Sequence, residues 1–329
     1  MRKINGVPVE AHTDLSNLTG GEVLKWDGTN TLMAWEDQDS TGYVPIVWYG
    51  DRGVFAGGVS ATYFNTIDYV TIASTGNATD FGNLTASKGP AGCSNGIRGC
   101  IGGGYDNDAG GNTNVIEYIT IGTLGNGTDF GDRTVSVGNL SSCSDGTKGL
   151  WAGGTGATNV IDYITIATTG NATDFGNLTV GRWNLDALAN ATRGLFVGGN
   201  TSGDTIDYIT IATTGNALDF GNLTVSRQST EGISSTTRGV MGGGESTNTI
   251  DYITIATTGN ALDFGDLTAT RGNSGGSADG TTGIFGGGYN GTDSYSTSID
   301  YITIATTSNA TNFGDMTVGR SQSAGLSGD

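Results

Sequence analysis

The chain has 329 residues, 59 of them glycine and 3 proline, and a formal charge of −18 from 14 Lys and Arg against 32 Asp and Glu. That length suffices for a sizeable core in one or two domains, and the acidic balance argues against nucleic acid, because like charges repel a phosphate backbone. Cys93, Cys100 and Cys143 are too few, and odd in number, for a disulfide framework, and each sits in an apolar or small-residue stretch that reads as a buried free thiol.

The opening "MRKINGVPVEAH" lacks the apolar core of a signal peptide, and no apolar run reaches membrane-spanning length. The expectation is a soluble protein made in a cytoplasm, without membrane insertion. Residues 1–42 stand outside the pattern that fills the rest of the chain. In them, Glu22 to Trp26 and Thr31 to Trp35 read as the arms of a hairpin about Trp26-Asp27-Gly28. A two-stranded hairpin is not stable alone, so it is expected to dock on something through Leu24, Trp26 and Trp35. The words "LSNL", "GEVLKWDGT" and the Trp that follows resemble a segment common near the start of fibres in the virions of tailed phages. That resemblance implies an attachment segment over residues 1–42, other virion proteins as partners and many copies per particle, with a homotrimer as one arrangement.

Residues 43–329 are repetitive. Aligned on an Asp/Glu-Tyr pair, six copies fall at Tyr69, Tyr118, Tyr163, Tyr208, Tyr252 and Tyr301, in steps of 49, 45, 45, 44 and 49 residues. Such a period marks a solenoid, a propeller or an array. Each copy opens with an apolar stretch ending in glycines, such as "RGLFVGG" from Arg193, and a variable loop follows. "IDYITIAT" is then a strand by its β-branched and aromatic content, "TGNA" a tight turn with Gly170 and Asn171 at positive φ, and "DFGNLT" another strand. After an Arg, as at Arg182, Arg227, Arg271 and Arg320, a last apolar segment leads into the next copy. Packing groups on both faces of "YITIAT" suit sheets covered on two sides, and the glycines suit backbones that converge on an axis.

This order of glycine-ended strand, loop, Tyr strand, aromatic strand and Arg resembles kelch-repeat β-propellers over residues 52–329. The family's Trp is here Phe81, Phe130, Phe175, Phe220, Phe264 and Phe313. The resemblance implies an all-β, six-bladed kelch-like β-propeller with four strands per blade. Leu326 takes the place of Ile233 and Leu188, so the C-terminal strand is expected to complete the blade that begins at Arg52, with 44–49 as an entry segment.

Function should lie where the copies differ. From the last glycine to the Ile before the Asp/Glu-Tyr pair, the loops Gly58–Ile67, Gly104–Ile116 and Gly288–Ile299 are long and the other three short. The long ones belong to the first, second and sixth copies, consecutive around a closed ring. They carry Tyr63, Phe64, Tyr105, Tyr289 and Tyr295 beside Asp106, Asn107, Asn290 and Asp293. Aromatic faces beside planar amides and carboxylates suit the C–H face and the hydroxyls of a sugar.

No catalytic residue, cofactor or metal is expected. The one histidine, His12, lies outside the repeats, no Cys/His cluster suggests zinc, and no DxDxDG spacing suggests calcium. Asp80, Asp129, Asp174, Asp219 and Asp263 recur in five copies and read as partners of turn amides. The Asn-x-Thr sequences at Asn77, Asn171 and Asn309 read as turn chemistry rather than glycosylation sites. The reading is a non-enzymatic structural protein of a phage virion, a tail fibre or adhesin that presents its propeller to host surface polysaccharide. The alternatives are a head or neck decoration protein without a receptor role, an intracellular kelch-type protein-binding module, and a glycan-cleaving enzyme with two carboxylates in one pocket.

Overall fold

The computed structural model describes residues 50–328 apart from 246 and 291–293, together with four short strands nearer the N-terminus. The chain divides into two compact units, residues 1–44 and 45–329. The first holds two antiparallel pairs, Lys3–Ile4 with Val7–Pro8 and Glu22–Lys25 with Ala34–Asp37. The second pair is the hairpin read from the sequence, with Leu24 opposite Trp35 and a second arm over Ala34–Asp37; Thr31 lies outside the described residues. Trp26 and the segment 43–49 lie outside the described residues.

The second unit is a six-bladed β-propeller. The fourth blade is typical: inner strand Asp186–Ala189, second strand Arg193–Val197, third strand Thr205–Thr210 and outer strand Leu218–Asn222, all antiparallel neighbours. The inner strands of successive blades pack against one another and enclose the axis. Burial falls from axis to rim, and the sequence follows it. In the second strand every residue after the Arg is covered, whereas in the outer strand the Phe220 position is the one apolar side chain turned inward. The second strand is therefore a continuous apolar run and the outer strand mostly polar. Ala324–Gly328 pairs with Arg52–Ala56, Leu326 opposite Val54, so the C-terminus supplies the inner strand of the first blade and closes the ring.

Where blades meet, the glycine of each "RG" pair admits a side chain from the blade before it. A Cβ on Gly239 would lie 2.7 Å from Leu188, and one on Gly149 would collide with the sulfur of Cys93. Cys93 and Cys143 thus fill slots that Leu188, Ile233 and Leu326 fill elsewhere, and all three cysteines are buried and free. The paired glycines after the second strand do a different job from the axial approach expected of them. Gly198 and Gly199 sit at φ 62° and 116°, turning the chain out of the blade beside the Arg that enters it.

The "TGNA" turn also acts between blades rather than within one. Gly170 N–H donates to Phe130 O at 2.8 Å, Ala172 N–H to Asp132 O at 2.7 Å, and Asn171 Oδ1 accepts from Asp132 N–H at 3.0 Å. These bonds tie the turn of the third blade to the outer strand of the second. Among the turn residues the glycine alone takes positive φ, 155° at Gly170, which corrects the assignment of that geometry to Asn171 as well. Asn77 and Asn309 make the matching bonds to Asp315 and Asp266. Asp80, Asp129, Asp174, Asp219 and Asp263 stand exposed on the outer strands, so the repeated Asn, not the repeated Asp, binds the amides.

A buried ion pair fixes each blade to the link that enters it. Arg182, Arg227, Arg271 and Arg320 meet Asp207, Asp251, Asp300 and Asp68 at 2.9, 3.0, 2.6 and 3.2 Å. Asp207 also accepts from the amide and hydroxyl of Thr179 in the preceding blade, and Arg182 donates to Phe196 O at 2.9 Å. Burial pulls the pKa of each guanidinium down, and the facing carboxylate opposes that. Two blades keep the pair with other residues. In the second blade it is Lys88 with Glu117 at 2.6 Å, a shorter cation matched by a longer acid. In the third, Arg133 occupies the place of Leu178 and Val137 the place of Arg182, yet Arg133 still reaches Asp162 at 3.0 Å. We expect Asp207→Asn to leave a buried guanidinium without its counter-charge and to cost about 3–5 kcal/mol, measured by urea unfolding.

Towards the opposite end of the blades, a cation at the start of the second strand lies over the Tyr of its own blade and donates to a carbonyl of the next. Arg193 is 4.7 Å from the Tyr208 ring and bonds Ile255 O at 2.9 Å; Arg98, Lys148 and Arg238 do the same toward Ile166, Ile211 and Ile304. The sixth blade has Thr282 here, which is too short to cross to the first. Thr282→Arg is expected to add the missing staple and raise stability by about 0.5–1.5 kcal/mol, seen as a higher urea midpoint with an unchanged slope.

Candidate functional site

The loops between second and third strands and the links entering the inner strands emerge at the same end of the ring, where they bond each other. Val59 and Ser321 exchange backbone bonds, as do Gly272 and Tyr289, and Asn200 N–H donates to Trp183 O. This is the face on which the copies differ.

The three long loops meet there. Tyr63 of the first blade lies 5.3 Å from Tyr105 of the second, ring to ring, tilted by 30°. Tyr289 and Tyr295 of the sixth blade are likewise 5.3 Å apart, tilted by 47°. Burial raises the pKa of the Tyr63 hydroxyl, and Tyr105 and then Tyr295 raise it further; Val59, which pairs with Tyr63, also pairs with Ser321 of the link leaving the sixth blade. Each of these tyrosines is half-buried except Tyr105, which is 39% exposed.

The polar groups named beside them are arranged differently from one another. Tyr105–Asp106 pairs with Gly111–Asn112 as a small ribbon. Asp106 Oδ1 accepts from the amides of Asp108 and Ala109, and Asp108 Oδ2 from the amide of Ser87, so these carboxylates hold the ribbon in shape. Asn107 and Asn290 are exposed. Phe64 is half-buried, its backbone bonded to Gly58 and Lys88. Asp293 lies outside the described residues.

The tyrosine cluster borders a second feature that the sequence did not announce. A Cβ on Gly89 would lie 3.4 Å from the Tyr63 ring and 3.0 Å from Gln322, and both Gly89 and Gln322 line the mouth of the central channel. A chain of backbone bonds rims that mouth. Asn184 donates to Asn139 O, Ser229 to Asn184 O, Asn273 to Ser229 O and Gln322 to Asn273 O, at 2.7 to 3.0 Å. The linking residues hold left-handed φ of 53° to 60°. Across the remaining sector, Gln322 Nε2 donates to Asn139 Oδ1 at 3.3 Å.

Below this rim is a cavity of about 100 Å³ lined by the first residues of the inner strands. Among them are Ala91, Ser141, Asp186, Glu231 and Ala324, so two carboxyl groups from neighbouring blades stand beside the axis. Burial pushes Asp186 up to about 7, opposed by hydrogen bonds from the backbone and from Ser141. Burial, and then the charge of Asp186, pushes Glu231 well above the usual carboxylate range. The signal for the pair was present in the repeat alignment: acids stand at a position where the other four copies have Ala, Ser or Gly.

No protein-family model matches the chain. A search of curated proteins likewise gives no match. Among the described residues no helix is long and apolar enough to cross a membrane.

The acid pair sets a pH dependence. A carboxyl whose pKa is higher folded than unfolded binds more protons when folded. Its contribution to stability is complete below about pH 4 and is lost as pH rises through the folded value. Unfolding free energy is therefore expected to fall between about pH 4 and pH 8, and Asp186→Asn to flatten that fall and raise the melting temperature at pH 8; urea titrations at a series of pH values read both.

Proposed function

We propose that the protein is a non-enzymatic structural component of a tailed-phage virion that displays its propeller outward and binds host surface polysaccharide at the tyrosine face. The observation that carries this reading is the convergence of Tyr63, Tyr105, Tyr289 and Tyr295 from three consecutive blades on one face. Tilted rings with exposed Asn107 and Asn290 nearby offer flat apolar surfaces and amide hydrogen bonds together, the combination a pyranose needs. The fold supports the reading in a limited way: the ring is a rigid frame and the loops on it vary, but a propeller of itself names no ligand.

The virion half of the proposal rests on residues 1–42 and their resemblance to phage fibre segments. Leu24, Trp26 and Trp35 are the proposed anchors. Weak sites on many copies give useful avidity when their spacing lets several engage one surface. The acidic net charge favours neutral or cationic surface polymers over anionic ones.

Replacing Tyr105 and Tyr289 by Ala is expected to lower binding to host cells or isolated surface polysaccharide at least about tenfold, a loss of roughly 1.4 kcal/mol, with the melting temperature unchanged. Equal binding by the variant removes this face as the site. Deleting residues 1–42 leaves a folded propeller that no longer joins the particle, read by circular dichroism and by particle co-purification.

A further inference from the structure

The channel cavity beneath the tyrosines has a composition that the proposed glycan site does not use. Its lining includes the carboxyls of Asp186 and Glu231 and no Lys, Arg, His or Cys. Ser141 Oγ donates to Asp186 Oδ1 at 3.0 Å, but Asp186 Oδ2 has no hydrogen-bond partner within the protein. The hydroxyls of Ser229, Thr230, Ser274 and Ser323 line the same cavity, are at most 6% exposed, and have no partner either. Buried polar groups are normally satisfied. Here five unsatisfied oxygens gather around one small space beside two carboxyl groups.

Size and donor type narrow what fits. The space of about 100 Å³ admits an ion and several waters. Oxygen donors alone, two of them carboxylates, suit a hard cation; calcium accepts six to eight oxygens from carboxylates, neutral groups and water in a flexible geometry.

We propose that the central channel is a calcium site, with Asp186 and Glu231 as charged ligands and the buried Ser and Thr hydroxyls and water completing the oxygen shell. With two carboxylates rather than four, the site is a weak one, in the range of about 10⁻⁴–10⁻³ M typical of sites outside the cytosol.

The test uses the full chain, stripped with EDTA and titrated with CaCl₂ by isothermal titration calorimetry at pH 8. The expected result is one site with a dissociation constant of about 10⁻⁴–10⁻³ M. Asp186→Asn and Glu231→Gln, both near-isosteric, are each expected to abolish binding, with an unchanged circular dichroism spectrum showing that the fold is intact. Absence of heat and of any calcium-induced melting shift at pH 8 overturns the proposal. So does binding that persists in both variants, because it places the ion elsewhere.

Discussion

The structure depends on a charge pair removed from water at the entrance to every blade. A buried guanidinium or ammonium opposite a carboxylate is a poor source of net stability, because desolvation takes back most of the Coulomb gain. Its value here is positional. Asp207 receives Arg182 from the incoming link and both the amide and hydroxyl of Thr179 from the blade before, so three groups must arrive together for any to be satisfied. A blade that slips by one residue against its neighbour leaves a charge buried and alone. Two of the six pairs are built from different residues, Lys88 with Glu117 and the displaced Arg133 with Asp162, and both keep the contact. What the copies hold in common is the pair, not the letters that make it.

The ring is not uniform around its circumference. Between the sixth and first blades, Ser277 stands where Leu188 or Leu326 fills the slot over a second-strand glycine, and Thr282 replaces the cation that staples the other seams. The same seam relies on the C-terminal strand for the inner strand of the first blade and on Arg320 with Asp68 for its ion pair. The break in the chain falls inside the first blade, between Ala324–Gly328 and Arg52–Ala56, so backbone pairing alone joins those two strands. The tyrosine face straddles this seam, since its rings come from the sixth, first and second blades. The less tightly bound part of the scaffold therefore carries the most divergent loops.

Much of the fold was legible in the sequence because it is written six times. Tyr208 and its equivalents gave the blade count, and Leu326 beside Ile233 gave the closing strand, since packing positions repeat wherever the same neighbours recur. What could not be read was the direction of contacts. "TGNA" looks like a hairpin turn from its letters, and only the neighbouring outer strand reveals that Asn171 reaches out of its own blade. The ion pairs were hidden for the same reason, because Arg182 and Asp207 are twenty-five residues apart in different copies. At the candidate site, the loops and their tyrosines were visible as departures from the repeat. Asp186 and Glu231 were equally visible as departures, but only the ring brings residues forty-five apart to one axis.

Placing two acids beside that axis has a physical consequence. Burial raises both carboxyls, Glu231 further through its neighbour Asp186, so the cost of ionising them falls on the junction of the fourth and fifth blades. The four other copies place small or neutral residues there and carry no such cost. The rim of left-handed residues and the Gln322 to Asn139 bond close the mouth above the acids into a continuous hoop. The channel rim and the face above it share a residue: Gly89 lines the channel mouth and packs between Gln322 and the Tyr63 ring, so the aromatic platform is built directly on the rim.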